Sequence, residues 1–459
     1  MIWLYRLLFI PALLLASPYY FRRMRRRGGY GRNFGQRFGA TPPLTPKRPG
    51  VRRIWLQAVS VGEILAIGPL LEALKKDDSV EVYLTTTTST AYQIARDRYG
   101  SLVMALGYFP LDWWWFSCRA WRRVRPDLAI LMEGERWPEH ISQARRHATP
   151  VLSINSRLSD RSFRRMAPVR WLVPPLLGSI ACSLPITAQD EERFRKLGFP
   201  PERLRTLGNI KLDLTILPLE EPHRRELRRA LGLRDGLVLL GSSTWEGEEL
   251  ALVEALKAAR SRGLAVSLLL VPRHAERRDA VAGALSKAGL RFHLRSRGVA
   301  PHEVEVAVAD TTGELRTLTQ LGDLVFCGKS LPPHDGGQSP VEAASLGKPL
   351  LFGPHMSNFR EIARALRAGG GAREVLNESE LVAACVELLG DEAQRARMSA
   401  AALAWHANNR GAVARTLAVI YEFLDLASKS SFARPSAVAE AMADKTEDRS
   451  RASSLPTRR

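Results

Sequence analysis

Carboxylates, an arginine and glycine-rich turns recur in this sequence just after short apolar runs. The first such place is Ala58-Val59-Ser60-Val61-Gly62-Glu63, which follows the run RIWLQ. It sets Glu63 at or near a first helical turn, where the helix dipole favours the ionised carboxylate. A carboxylate held there can take a proton from an acceptor hydroxyl as a general base, although an acidic residue at a helix start is also ordinary stabilisation. The second place is Glu133-Gly134-Glu135-Arg136-Trp137-Pro138. Either carboxylate could share work with Glu63 or form a structural pair with Arg136. In the second half, Pro272-Arg273-His274 ends an apolar run with a guanidinium suited to clamping phosphate or carboxylate in bidentate fashion. Asp310-Thr311-Thr312-Gly313-Glu314 follows another run and opens a helix, so its backbone N–H groups can meet an anion. Cys327-Gly328-Lys329-Ser330 then precedes Gly336-Gly337-Gln338-Ser339-Pro340-Val341-Glu342. There the glycines permit close backbone approach to a phosphate, Pro340 suits a first helical position, and Glu342 can accept ribose hydroxyls. Each piece alone is turn chemistry; together, on successive runs of one half, they describe a nucleotide-like site.

Such residues act together only if a scaffold brings them to one edge, and in open α/β sheets that edge is the carboxyl end of the strands. RIWLQAVS, VEVYLTTTT, LVMALGYF, DLAILME, VLSINS and LPITAQ read as buried strands, separated by helical spacing over 63–76, 89–99 and 138–147. This alternation is the pattern of an α/β parallel sheet. The run LTILPLEEPHRR, residues 214–225, interrupts it with two prolines and reads as a linker. The pattern restarts with GLVLLGSS, AVSLLLVPR, EVEVAVAD, LVFCG and KPLLFG, and a helical stretch over about 391–427 closes it. The expected organisation is an anchor over 1–27, one Rossmann-like domain over 28–215, a second over 216–410, a closing helix over 411–427 and a polar, disordered tail over 428–459.

At 459 residues the chain has the length of two α/β domains, and its 45% hydrophobic and 25% charged residues exclude wholesale disorder and a polytopic membrane protein. Lys and Arg outnumber Asp and Glu 67 to 47, a net charge of +20, which points to an anionic partner. No RNA- or DNA-binding motif accompanies the charge, so nucleic acid is the least favoured of the anionic partners. The four cysteines are far apart, the closest two being Cys327 and Cys385, so neither a disulfide framework nor a metal finger is suggested. No histidine motif suggests a metal site either.

Part of the charge is local: residues 1–50 hold ten Arg and Lys, and the first carboxylate is Glu63. The opening MIWLYRLLFIPALLLASPYYF is broken by Arg6 and Pro11 and ends in Arg22, Arg23, Arg25, Arg26 and Arg27. A cleaved signal is disfavoured, because Pro18 follows Ala16-Ser17 and the strongest charge lies behind the apolar run. A spanning helix needs about 20 apolar residues. The expectation is a short or oblique anchor with the body on the cytoplasmic side, the alternative being an ordinary buried first helix. The Trp113-Trp114-Trp115-Phe116 run, with Trp121-Arg122-Arg123, suits a lipid interface or the core.

With these residues in line, the sequence resembles the 3-deoxy-D-manno-octulosonic acid (Kdo) transferases of lipopolysaccharide synthesis, from the anchor to about residue 425. The stretches that carry the likeness are Gly35-Gln36-Arg37-Phe38-Gly39, Ala58 to Glu63, Glu133 with Glu135-Arg136-Trp137-Pro138, and Asn155-Ser156-Arg157-Leu158-Ser159. Further along are Gly208-Asn209-Ile210-Lys211-Leu212-Asp213, Ser243 to Glu249, Val271 to His274, Asp310 to Leu315 and Gly353-Pro354-His355. The resemblance implies an α/β protein with two Rossmann-like domains facing a cleft, the B-type glycosyltransferase fold, behind an N-terminal membrane anchor. It implies an inverting, metal-independent transfer of Kdo from CMP-Kdo to a lipid A precursor at the cytoplasmic face of the inner membrane, without a cofactor. By family position Glu63 looks like the catalytic base, and of the two carboxylates that could share its work, Glu133 and Glu135, Glu135 is put beside it. Arg273, His274, Thr312, Gly313, Glu314, Gly336, Gly337, Ser339, Glu342 and Lys211 fall to the CMP-sugar donor, and Ser60, Gly62 and Arg157 to the lipid acceptor. The chain departs from the family at Gln57, where the family has His; at Gly328-Lys329-Ser330, where it has Gly-Gly-Ser; and at Gly336-Gly337-Gln338-Ser339, where it has Gly-Gly-His-Asn. The nearest rival reading is a B-type glycosyltransferase using a modified Kdo or a UDP-GlcNAc type of donor. A non-catalytic membrane-surface binder is the rival from another class.

Overall fold

The computed structural model describes residues 1–26, 31–214 and 216–429. The expected tail, from residue 430 onward, and Arg27 of the basic run lie outside the described residues.

Six of the apolar runs become the parallel strands of a first sheet: β1 (Arg52–Gln57), β2 (Val80–Thr86), β3 (Ala105–Tyr108), β4 (Leu128–Met132), β5 (Val151–Ser156) and β6 (Cys182–Pro185). Helices cover both faces, so the central strands are apolar at nearly every position, as in LAILM of β4. The strand order is β3-β2-β1-β4-β5-β6. It reverses direction between β1 and β4, the place where a sheet of this kind opens a crevice at its carboxyl edge. Gln57 of β1 stands level with Leu131 of β4, so the loops leaving these strands emerge side by side. Those loops carry Glu63 and Glu133.

The second sheet is also parallel: β7 (Leu237–Thr244), β8 (Val266–Pro272), β9 (Phe292–Leu294), β10 (Val306–Val308), β11 (Leu324–Cys327), β12 (Leu350–Phe352) and β13 (Ala372–Glu374). Its order, β13-β12-β11-β7-β8-β10-β9, reverses between β7 and β11. The edge strands β9 and β13 are additions to the sequence reading; each is three residues long, too short to show a period.

The chain divides into one unit that runs up to Asp213 and resumes at Gly411, and another formed by Leu214–Arg410. The closing stretch is two helices, Glu392–Asn409 and Ala412–Lys429, interrupted at Gly411, whose φ of +90° suits glycine. Only the second of them belongs to the first unit. Ala412, Val419, Ile420, Phe423 and Leu424 are buried there with Ile54, Leu70 and Leu128, and Asp213 accepts hydrogen bonds from the N–H groups of Gly411 (2.7 Å) and Val413 (2.5 Å). The proline-bearing linker is partly helical, Glu221–Ala230, with Pro222 in its first turn. The span read as one helix over 63–76 is two, Val61–Ala66 and Gly68–Lys75. Pro69, lacking an N–H, can sit only in the first turn of the second.

Residues 2–26 form the helix Ile2–Arg26, and it is tied to the rest of the first unit by polar side chains. Arg6, 6% exposed, pairs with Glu139 through two hydrogen bonds of 2.7 and 2.9 Å, and the Tyr5 hydroxyl donates to Asp112 (2.6 Å). An arginine that looked like a break in an apolar run thus has a buried partner 133 residues away. The opposite side of the helix exposes Trp3, Leu7, Leu8, Leu14 and Leu15, the last at 84%. Among the described residues, Ile2–Tyr19 is the one stretch long and apolar enough to cross a membrane by length and composition. The tryptophan cluster splits: Trp121 is buried in the core, whereas Trp114 and Trp115 are exposed.

Candidate functional site

In the first unit, the loop after β1 folds its own carboxylate back on itself. Ser60 is the N-cap of the helix Val61–Ala66, and its Oγ accepts from the Glu63 N–H (3.4 Å) while donating to Glu63 Oε1 (2.9 Å). The Val59 N–H donates to Glu63 Oε2 (2.7 Å). This is a capping box closed one residue further back than usual. It fixes the Glu63 side chain in one orientation and buries it to 6% exposure. At Gly62, a Cβ would find only Ser60 Oγ at 4.0 Å, so the space over the loop is open.

Glu133 leaves β4 in a left-handed conformation (φ +56°), and its carboxylate pairs with the Lys211 ammonium. Lys211 reaches it from a short turn, Ile210–Leu212, whose Ile210 N–H donates to Asn155 Oδ1 (3.0 Å) at the end of β5. Strands β1, β4 and β5 therefore deliver Glu63, Glu133 and, through Asn155, Lys211 to one edge. Burial raises the Glu63 carboxyl above its ordinary range and the Glu133 charge adds to this, against the opposing Val59 N–H, Ser60 hydroxyl and Lys211 charge. Glu135 is pushed up to about 7, by burial first and then by Glu63 and Glu133, against the pull of Arg136 and Trp137. Three carboxylates in mutual electrostatic reach are suited to taking and giving a proton near neutral pH. Arg157, at the end of β5, is exposed. Gln57 is fully buried, and neither its amide oxygen nor its amide nitrogen has a partner among the described residues.

In the second unit, the loops after β7, β8, β10 and β11 carry the remaining residues. Glu248, buried to 2% exposure at the start of the helix Glu248–Ser261, accepts from the N–H groups of Trp245 (2.9 Å), Lys329 (2.8 Å), Ser330 (2.9 Å) and Leu331 (3.3 Å). It thereby binds the β7 loop to the β11 loop. Glu249 is held by Arg277 (2.6 and 3.2 Å) and the Thr244 hydroxyl (3.0 Å). Trp245 stands among the rings of His274 (5.4 Å) and His334 (5.5 Å) and the ammonium of Lys329 (4.8 Å). Arg273 is exposed beside it, with its backbone N–H bound to the Thr244 carbonyl (3.1 Å). Thr312 and Gly313 are exposed; Gly313 has φ +89° and nothing within 4 Å of a Cβ position. Glu314 accepts from the Thr311 hydroxyl and pairs with Arg295 (3.3 Å), and the helix Leu315–Thr319 begins after it. Ser339 donates to Glu342 (2.8 Å).

The glycine turn differs from the expectation in one respect. Gly336 and Gly337 have φ of +115° and +67°, and a Cβ on either would collide with Asn358 or Met356, so glycine is required at both. Their N–H groups are not free, however: those of Gly336, Gly337 and Gln338 donate to the carbonyls of His355, Lys329 and Gly328. These glycines are therefore demanded by packing against Asn358 and Met356 inside the protein, and any positive charge at this turn comes from side chains.

The structure brings Ser60, Gly62, Glu63, Glu135 and Lys211 together in the first unit, with Lys211 among the carboxylates; Arg273, His274, Gly336, Gly337 and Ser339 lie on loops of the second, and Glu342 in the first turn of its helix Val341–Ser345. The sequence reading assigned no role to Trp245, Glu248 or Asn155. The signal for Trp245 and Glu248 was present in Ser243 to Glu249, where two glutamates open a helix directly after a strand, but a spacing cannot tell which backbone N–H groups a carboxylate will meet.

The sequence and fold can be set beside known proteins. A family model described as 3-deoxy-D-manno-octulosonic-acid transferase (kdotransferase) matches residues 32–214. The 3-deoxy-D-manno-octulosonic acid transferase of Haemophilus influenzae is 33% identical over 425 residues, 91% of this chain and 95% of that protein. That of Bordetella pertussis is 32% identical over 415 residues, 88% of this chain and 95% of that protein. Among solved structures, a putative UDP-N-acetylglucosamine 2-epimerase from Listeria monocytogenes superposes with a TM-score of 0.55 at 16% identity, over 84% of this chain and 98% of that one. At that identity the likeness is one of fold.

Proposed function

The chain belongs to the 3-deoxy-D-manno-octulosonic acid (Kdo) transferase family, and from that premise we propose that it moves Kdo from CMP-Kdo to a lipid A precursor, a lipid IVA-like disaccharide phosphate, with inversion at the anomeric carbon. The observation that carries the reading is the Glu63 carboxylate, held by Val59 and Ser60 with its proton affinity raised. In one displacement, the acceptor oxygen bonds to the anomeric carbon as its proton passes to Glu63. The bond from that carbon to the CMP oxygen breaks, and the electron pair leaves on the phosphate. A single displacement inverts the centre.

A base with a raised pKa is better matched to an alcohol proton at neutral pH than an ordinary glutamate. Burial and the Glu133 charge raise that affinity, while Lys211, paired with Glu133, opposes them. Ser60 orients the base, Gly62 leaves room for the acceptor, and the exposed Arg157 suits its phosphate. Arg273 supplies the leaving phosphate with charge, which is the larger need because a phosphate must depart without a proton. Glu342, oriented by Ser339, suits the ribose hydroxyls, and His274, Thr312, Gly313 and Glu314 border the same loops. With charge supplied by side chains, turnover is expected to persist in chelator. The apolar outer side of Ile2–Arg26, with exposed Trp115, suits contact with the membrane that holds the acceptor, and the arginines Arg22, Arg23, Arg25 and Arg26 at the end of that helix favour the cytoplasmic face.

The test is transfer from CMP-Kdo to a tetraacylated lipid A precursor in EDTA, read by mass spectrometry, for the native chain and Glu63→Ala. Product from the native chain and none from a folded, CMP-binding variant is the expected result. A native chain that binds CMP yet forms no product overturns the acceptor; one that binds UDP in place of CMP overturns the donor.

A further inference from the structure

The loop after β11 carries a lysine where the backbone asks for glycine. Lys329 has φ +58°, a left-handed conformation that disfavours any residue with a Cβ. Its frame enforces this: the Lys329 N–H donates to Glu248 (2.8 Å) and its carbonyl accepts from the Gly337 N–H (2.9 Å). Both bonds would serve a glycine equally well. What the side chain adds is an ammonium on the loop next to the strand-order reversal between β7 and β11, where a sheet of this type receives its ligand.

That ammonium has no ion-pair partner among the described residues. It stands 4.8 Å from the centre of the Trp245 ring and beside the bare Cα of Gly336, where an added Cβ would lie 3.5 Å from Nζ. Of the nearby acids, Glu248 is engaged by four backbone N–H groups and Glu342 by Ser339, while Glu246 and Asp335 are exposed to solvent. An indole face attracts a cation without using up its three N–H donors. The adjoining turn has spent the N–H groups of Gly336, Gly337 and Gln338 on carbonyls, so an anion reaching it needs a side-chain donor.

We infer that Lys329 is a donor-specificity residue, whose ammonium, platformed on Trp245, takes up an anionic oxygen of the nucleotide-activated sugar, either of its phosphate or of its sugar carboxylate. The assignment rests on the reading of these loops as the donor site.

The test uses the full chain in detergent, with calorimetric titration of CMP and steady-state KM for CMP-Kdo. Lys329→Gly removes the charge and supplies the residue that the φ angle favours, so it is expected to melt at or above the native temperature; Lys329→Arg keeps the charge. Loss of one charge-assisted contact should weaken donor binding on the order of tenfold, with Arg restoring most of it and high salt narrowing the gap. CMP and CMP-Kdo weakened alike support the phosphate as partner; CMP-Kdo weakened alone supports the carboxylate. Unchanged affinity for both in a Gly variant, beside a native chain that binds CMP, overturns the role of Lys329 while leaving the donor site intact. A native chain with affinity for neither removes the donor site and this assignment with it.

Discussion

A base at Glu63, as proposed, works only when ionised, so the surroundings of that carboxylate set the pH at which turnover begins. Burial and the Glu133 charge raise its pKa above 4.5, and Lys211 opposes them. The acidic limb of kcat/KM should therefore rise at a pH above that of an ordinary glutamate. Glu133→Gln should move the limb to lower pH and Lys211→Met to higher pH; a limb that stays in place in both variants would remove the electrostatic account of the base. Glu135 gives a stability counterpart. Its pKa is about 7 in the fold against 4.5 for a freely solvated glutamate, so near neutral pH the folded chain holds a proton there that the unfolded chain has released. That contribution is present below about 4.5 and is lost as pH rises through 7, where stability falls with pH. Glu135→Gln should reduce the drop in melting temperature between about pH 5 and pH 8, and an unaltered drop would place the cause elsewhere. At this scale the sequence was informative about types and silent about partners. Glu63 and Glu135 stand out in the sequence as carboxylates just after apolar runs, a position that also fits ordinary helix stabilisation. The tuning by Lys211 was not, since Lys211 lies 78 residues from Glu133 and meets it through a turn fixed by Asn155.

At the scale of elements, one buried carboxylate makes much of the join between two loops of the second unit, beside the His334 contact with the Glu246 carbonyl (2.7 Å). Glu248 satisfies four N–H groups, one on the β7 loop and three on the β11 loop. Glu248→Ala leaves them without that acceptor and should cost about 3 kcal/mol or more, since each buried unsatisfied group costs roughly 1–3 kcal/mol before relaxation. Chemical denaturation measures the loss, and CMP titration should show weaker binding in the variant that is still folded. A variant as stable as the native chain would mean that water replaces the carboxylate. The strands of this unit were legible wherever an apolar run was long, as in β7 and β8. They were illegible in β9 and β13, where pairing with a neighbour rather than composition makes a strand of FHL and ARE. The helix breaks at Pro69 and Gly411 follow from residue chemistry alone, yet a helical period that continues across them hides the break.

For the whole molecule, the consequential feature is that the chain leaves the first unit at Asp213 and returns to it at Gly411. A periodic apolar pattern shows that 412–429 is a helix, but it cannot show which sheet the apolar side covers, because any parallel sheet offers a similar face. The structure decides it through Phe423, Ile420 and Leu424, buried on the helices and strands of the first unit beside Ile54 and Leu70. The first unit is therefore built from both ends of the chain, and its stability is expected to respond to a residue far along the chain from the strands it covers. Phe423→Ala removes a side chain that is 1% exposed and should destabilise that unit by about 3–5 kcal/mol. Because Leu214–Arg410 has its own core around Leu239, Leu256 and Leu268, the effect should be uneven. Hydrogen exchange across the full chain should show faster opening in β1, β2 and β4, with β7 and β8 near native rates. Uniform acceleration in both sheets would mean that the two units unfold as one. Acceleration confined to the helix itself would mean that it covers the sheet without holding it together.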